Sequence, residues 1–207
     1  GYGAPYWHPG SEPQDLARQL HRYGFSKFVT FAFTGLNADW TWGNDFAHQA
    51  MLRFPDLILP LAAVHLHDEA EMVAEMERCC DELGFWGVTL HPWWNGYPEN
   101  GPHIRTACAF CHERGLILTN HGWGPAEILD RYATEFPNAK LITGHLAYDD
   151  TYAEVVNKHD NVYVCTCLPI LRWELERAVG KIDTDKLLFG SDLPDLPLPL
   201  SFGPVLY

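Results

Sequence analysis

No stretch of this 207-residue chain approaches the roughly 18 consecutive apolar residues that a membrane-spanning helix requires. Nor does the chain open on the basic-then-apolar pattern of a secretory leader. Basic residues are scarce: 14 Lys and Arg stand against 27 Asp and Glu, a formal net charge of −13. Nucleic acid and anionic membrane surfaces both reward basic patches, so neither is expected as a partner. Internal repeats, low-complexity tracts and linker-like breaks are also missing, which points to one domain over residues 1–207. What remains is ordinary for a soluble globular protein, with 47% hydrophobic and 20% charged residues and enough length for a sizeable core. A chain of this size does not need disulfides to fold, so its six cysteines are expected as reduced thiols in the cytoplasm. Eleven histidines is a high count, and several fall at strand ends.

Three stretches share one layout. Gly115-Leu116-Ile117-Leu118-Thr119-Asn120-His121 runs from a turn signal through apolar residues to a histidine. Leu141-Ile142-Thr143-Gly144-His145 repeats the pattern, and Leu187-Leu188-Phe189-Gly190-Ser191-Asp192 repeats it with a carboxylate. A short apolar run between turn signals reads as a strand buried on both faces. His121, His145 and Asp192 therefore stand at the C-terminal mouths of three such strands.

Further strands are expected at Phe28–Phe33, Leu57–Val64, Gly87–Leu90 and Val162–Thr166, giving seven. Between them lie seven helical stretches: Pro13–Arg22, Asp45–Phe54, Asp68–Leu83, His103–Arg114, Pro125–Phe136, Asp150–Lys158 and Ile170–Val179. Strict alternation with doubly buried strands implies parallel βαβ units. The candidates are an open doubly wound sheet and a closed (β/α)8 barrel, a strand short of eight and below the ~250 residues typical of the barrel.

Taken together, Phe85-Trp86-Gly87-Val88-Thr89-Leu90-His91-Pro92, the His121 and His145 strands, and Leu188-Phe189-Gly190-Ser191-Asp192-Leu193-Pro194 resemble the amidohydrolase superfamily. The nearest branch is the amidohydrolase-related group that includes aminocarboxymuconate-semialdehyde decarboxylase. The resemblance implies an α/β fold, a TIM-like (β/α)8 barrel lacking here the first strand and the last helix. It also implies a divalent metal, usually zinc, at the C-terminal mouth. His121 matches the metal ligand of the fifth strand; His145 matches the histidine of the sixth, a base or activator in this branch and a ligand of a second metal elsewhere; and Asp192 matches the aspartate of the eighth, a ligand and proton acceptor. The family's His-x-His pair on the first strand has no counterpart among these residues.

Other motifs have blander readings. His65-Leu66-His67 is a His-x-His pair on one strand face, but by the resemblance it falls on the third barrel strand, where the family has no ligands. Cys108-Ala109-Phe110-Cys111-His112 has the spacing of a haem attachment site yet lies mid-helix on apolar positions, so core packing is expected. The acidic series Glu71, Glu75, Glu77, Asp81 and Glu82 reads as a solvated helix face, and Cys165 and Cys167 as core. His91, Trp93, Trp94 and Trp123 follow strand ends, where aromatics would exclude water and stack on a flat substrate. Arg172 is a candidate clamp for a substrate carboxylate.

The expected function is metal-dependent hydrolysis of a small organic substrate, with Asp192 taking a proton from the activated water and His145 polarising the scissile carbonyl. The runner-up is non-oxidative decarboxylation or hydration of a carboxylated unsaturated or aromatic substrate. An inactive fragment or binding module is the third reading. The apolar stretch from Leu193 to Leu200 leaves homo-oligomerisation open.

Overall fold

The computed structural model describes residues 12–145, 150–167, 172–193 and 196–206. Seven strands lie parallel in one sheet: β1 (Phe28–Thr30), β2 (Ile58–Ala63), β3 (Gly87–Leu90), β4 (Ile117–Asn120), β5 (Lys140–Thr143), β6 (Val162–Cys165) and β7 (Leu187–Leu188). Their order in the sheet is their order in the chain, and every pairing is parallel. A doubly wound sheet reverses its strand order at a switch point; this one never does. Sequential parallel pairing is the order of barrel staves, so the alternative of an open doubly wound sheet falls away.

Among the described residues no hydrogen bonds join β7 to β1. Val29, Phe31 and Leu188, along these two edges, are exposed apolar residues. Aromatic contacts close the gap instead. Phe25, just ahead of β1, stacks on Phe189, just past β7, with ring centroids 5.2 Å apart. Phe202 packs on both rings.

Ten helices are described: α1 (Pro13–Arg22), α2 (Thr34–Asn37), α3 (Trp40–Arg53), α4 (Glu69–Glu77), α5 (Pro92–Asn95), α6 (Pro102–Arg114), α7 (Ala126–Glu135), α8 (Asp150–Lys158), α9 (Arg172–Val179) and α10 (Leu198–Leu206). The core lies between the outer sheet face and this helical layer. Val88, Leu90, Leu118, Leu141, Val162 and Val164 meet Ile104, Cys108, Cys111, Leu129 and Val156 there. Cys108 and Cys111 are fully buried, which accounts for the haem-like spacing as packing.

Local chemistry shifts several boundaries. Asp39, rather than Asp45, starts α3, because its carboxylate accepts the Trp42 N–H at 2.8 Å and satisfies a free helix-end donor. Asp68 caps α4 as expected, taking the Glu71 N–H at 3.0 Å. After Glu77 the helix widens into a π turn over Arg78–Glu82, and the fully buried face becomes Met72, Met76 and Cys79, with Val73, Cys80 and Leu83 partly buried beside it.

Packing of α4 against α3 overturns one expectation. Glu75 is not on a solvated face: it is 7% exposed and holds Arg78 at 2.7 Å while Asn44 donates to it at 2.8 Å. Burial alone raises its pKa, but the hydrogen bonds from Arg78 and Asn44 and the guanidinium charge hold it below the ordinary carboxylate value. The stretch after β7, read as loop, carries α10, which lies against α9.

Candidate active site

The site follows from strand register. Thr89 on β3 pairs with Thr119 on β4, and their hydroxyls meet at 2.8 Å on the inner face of the sheet. Side chains alternate along a strand, so the residues two places further on, His91 and His121, continue on that face. The His121 N–H still bonds the Leu90 carbonyl at 3.0 Å, extending the ladder past the strand ends. The two imidazoles consequently stack, with centroids 3.8 Å apart and planes 22° off parallel.

The β4–β5 register places Asn120 opposite Thr143, so Gly144 comes beside His121. A Cβ at Gly144 would stand 2.9 Å from the His121 Cα. The missing side chain lets the chain pass this close and carry His145 onto the site. Its ring meets His121 edge-on, centroids 4.4 Å apart and planes at 84°.

Next in order, Cys167 lies just past β6. Its Sγ stands 3.1 Å from the His145 Nδ1 and also donates to the Gly144 carbonyl. Gly190, just past β7, has no room for a side chain: a Cβ there would fall 2.0 Å from the Cys165 Sγ. Two residues on, Asp192 has φ 55°, a left-handed conformation that Asp tolerates better than most residues. The Cys167 thiol pKa is raised by the hydrogen bond it donates to Cys165, by burial, and then by the charges of Cys165 and Asp192. The mouth thus reads His91, His121, His145, Cys167, Asp192 across β3 to β7.

Burial keeps the imidazoles neutral. His91 is pushed down to about 3 by desolvation and then by the neighbouring His121. His121 is pushed down to about 4 by desolvation and by His145, and burial lowers His145 as well. Neutral imidazole is the form that binds metal. The His91 tautomer is set by its role as the cap of α5: Nδ1 accepts the Trp94 N–H at 3.3 Å, so the ring proton sits on Nε2.

Around this row stand the aromatics. His91 contacts Trp93 and Trp94 at 6.2 and 5.8 Å between centroids. Trp93 is 72% exposed, while Trp94 lines a cleft of about 380 Å³ with Leu36, Asn37, His65, His67 and Asn95. The His65–His67 pair therefore faces this side cleft rather than joining the histidine row; His65 packs on Trp40 and His67 bonds the Asn95 carbonyl. Trp123, expected at the mouth, is instead 1% exposed and packs on Tyr132, because the loop after β4 turns it down into the helical layer. Arg172 begins α9, and its side chain lies outside the described residues.

The fold and the row of strand-end groups now have a family to be set against. The amidohydrolase family model matches residues 2–203. The chain belongs to the amidohydrolase family. No curated protein matches it. Among solved structures, this amidohydrolase is similar to a dihydroxybenzoic acid decarboxylase from Polaromonas sp. JS666 with bound manganese and the inhibitor 2-nitroresorcinol (TM-score 0.71, 16% identity, 93% of this chain and 78% of that one). It is similar to an uncharacterised TIM-barrel protein from Bordetella bronchiseptica (TM-score 0.74, 18% identity, 94% and 75%). A third is 5-carboxyvanillate decarboxylase from Sphingomonas paucimobilis (TM-score 0.68, 15% identity, 91% and 75%). Identities this low speak for the fold, and the fold is the TIM-like barrel.

The amidohydrolase's donors fit a divalent ion in kind but not in number. His121 and His145 offer imidazole nitrogens on rings set at 84° to each other, and Asp192 offers a carboxylate. Among the described residues, however, no three His, Cys, Asp or Glu gather closely enough to hold a metal. Sequence reasoning missed the part of Cys167: two cysteines spaced by two on an apolar strand carry the signal of core, and only the register reveals the histidine opposite.

Proposed function

We propose that this amidohydrolase catalyses non-oxidative decarboxylation of a small, flat carboxylated substrate. The observation that carries this reading is the continuous aromatic wall of His91, Trp93 and Trp94 beside the His121–His145 pair. A planar ring seated on that wall would be held by stacking. It would reach His145 and Asp192, the two groups that move protons. Two of the similar structures are decarboxylases of carboxylated aromatics, which supports the same class and moves it ahead of hydrolysis.

His121 and Asp192 are the residues proposed to bind a divalent ion, with further donors from outside the described set. Such an ion, when bound, supplies a positive charge for substrate oxygens; zinc and manganese both suit nitrogen and oxygen donors. The chain's own part is to keep the imidazoles neutral, exclude water with the tryptophans and place the proton-moving groups.

Hydrolysis is the runner-up, since water at the same mouth would meet the same residues. The test is to load the protein with zinc or manganese and follow carbon dioxide release from 2,6-dihydroxybenzoate and 5-carboxyvanillate, alongside cleavage of aryl esters, lactones and amides. Carbon dioxide without hydrolysis is expected. Hydrolysis without carbon dioxide would transfer the function to the runner-up, and metal binding with neither reaction would leave a binding module.

A further inference from the structure

We infer that Cys167 is a positioning residue: it fixes the tautomer of His145, placing the ring proton on Nδ1 and leaving Nε2 bare. The Cys167 Sγ meets three groups: the Gly144 carbonyl oxygen, the Cys165 thiol and the His145 Nδ1, the last at 3.1 Å. A carbonyl oxygen only accepts, so in its hydrogen bond with sulfur the thiol is the donor. A thiol has one proton. With that proton committed to Gly144 or Cys165, sulfur offers only a lone pair to His145, and Nδ1 must donate.

The surroundings are built to hold the sulfur there. Cys167 is 5% exposed, and Gly190 passes over it with a backbone that a Cβ would drive to within 3.1 Å of the Cys167 Cβ. The Thr143 hydroxyl donates to the His145 carbonyl at 3.1 Å, fixing the backbone from which the ring hangs. A neutral imidazole carries a single proton, so which nitrogen holds it decides what the ring does.

The consequence concerns direction of proton flow. A bare Nε2 accepts a proton or ligates; it does not donate. His145 is then the acceptor at the mouth, and Asp192 is the group left to deliver a proton. That assignment of roles rests on the proposed function, whereas the tautomer does not.

The experiment is a long-range proton–nitrogen correlation spectrum of the full chain labelled at histidine nitrogens, recorded on the protein as purified and again with zinc. His145→Gln identifies the signals. The expected pattern is an Nδ1-protonated ring in the wild type and in Cys167→Ser, whose hydroxyl can serve the same partners. In Cys167→Ala the proton should move wholly or partly to Nε2. A wild-type ring protonated on Nε2 would overturn the inference, as would a Cys167→Ala spectrum unchanged from wild type. Should the alanine variant not fold, the wild-type and serine spectra still decide. Absence of turnover with the expected tautomers would count against the proposed function and leave the role of Cys167 standing.

Discussion

His121 lies face to face with His91, ring centroids 3.8 Å apart and planes 22° off parallel. The contact is dictated by the β3–β4 register, which carries both residues past their strand ends on the same face. Two imidazoles in this arrangement are comfortable when neutral. Burial disfavours a charge on either ring, and the neighbouring His121 adds to this for His91 and His145 for His121, which is why both rings sit well below the ordinary histidine value.

This makes stability depend on pH in a definite direction. The folded values, about 3 for His91 and about 4 for His121, lie below the unfolded value near 6.5. Between those limits the unfolded chain binds more protons than the folded one, so stability rises with pH. The contribution is complete above about pH 6.5 and is lost as pH falls toward about 4. Urea midpoints of the metal-free protein should therefore drop between pH 7 and pH 4.5, less steeply in His91→Gln. Identical profiles for the two proteins would show that the stacked pair is not responsible.

Metal content separates the roles at the mouth. His121→Ala and Asp192→Ala should each lower the bound metal found by elemental analysis. Unchanged stoichiometry in both would remove them from the ligand set. His145→Ala should reduce turnover more than it reduces metal.

Gly190 is under a steric demand that a single methyl tests. Its Cβ would stand 2.0 Å from the Cys165 Sγ and 3.3 Å from the Cys167 backbone nitrogen. Gly190→Ala is expected to cost on the order of 1–3 kcal/mol, the range for overpacking. Adding Cys165→Ala should recover part of that loss, the remainder staying with the backbone contact. Strictly additive effects in the double variant, measured by denaturant unfolding, would mean that the sulfur is not what the methyl meets.

Trp93 offers the opposite case. At 72% exposure it contributes little to the core, so Trp93→Ala should melt within a degree or two of the wild type, surface changes being worth about half a kcal/mol or less. If the ring is a wall for substrate, KM for an aromatic carboxylate should rise severalfold. An unchanged KM would take Trp93 out of the site.

Much of this molecule was legible in its sequence, for reasons that are local. Strands such as Gly87–Leu90 and Val162–Cys165 announce themselves by apolar runs between turn signals, and the α4 start by an aspartate that caps it. Where the reading slipped, a contact outside the window decided. Asp39 displaced Asp45 as the start of α3 by bonding a backbone N–H, and hydrogen bonds from Asn44 on α3 and from Arg78 hold Glu75 on the buried face of α4. Trp123 was expected at the mouth because it follows His121, but chain direction after a strand end is set by packing, and Tyr132 holds it in the core.

By itself, then, the sequence determined the alternation of strands and helices and the chemical types at the strand ends, since periods of two and 3.6 residues and end-capping groups act over a few residues. The tertiary structure decided which of those ends meet. Register between strands some thirty residues apart stacks His91 on His121, and glycines at 144 and 190 admit the neighbours that complete the row. A one-residue slip in pairing would leave every local pattern intact and turn those side chains to the other face. That is why the site's geometry, and the thiol that orients His145, belong to the fold rather than to any stretch of the chain.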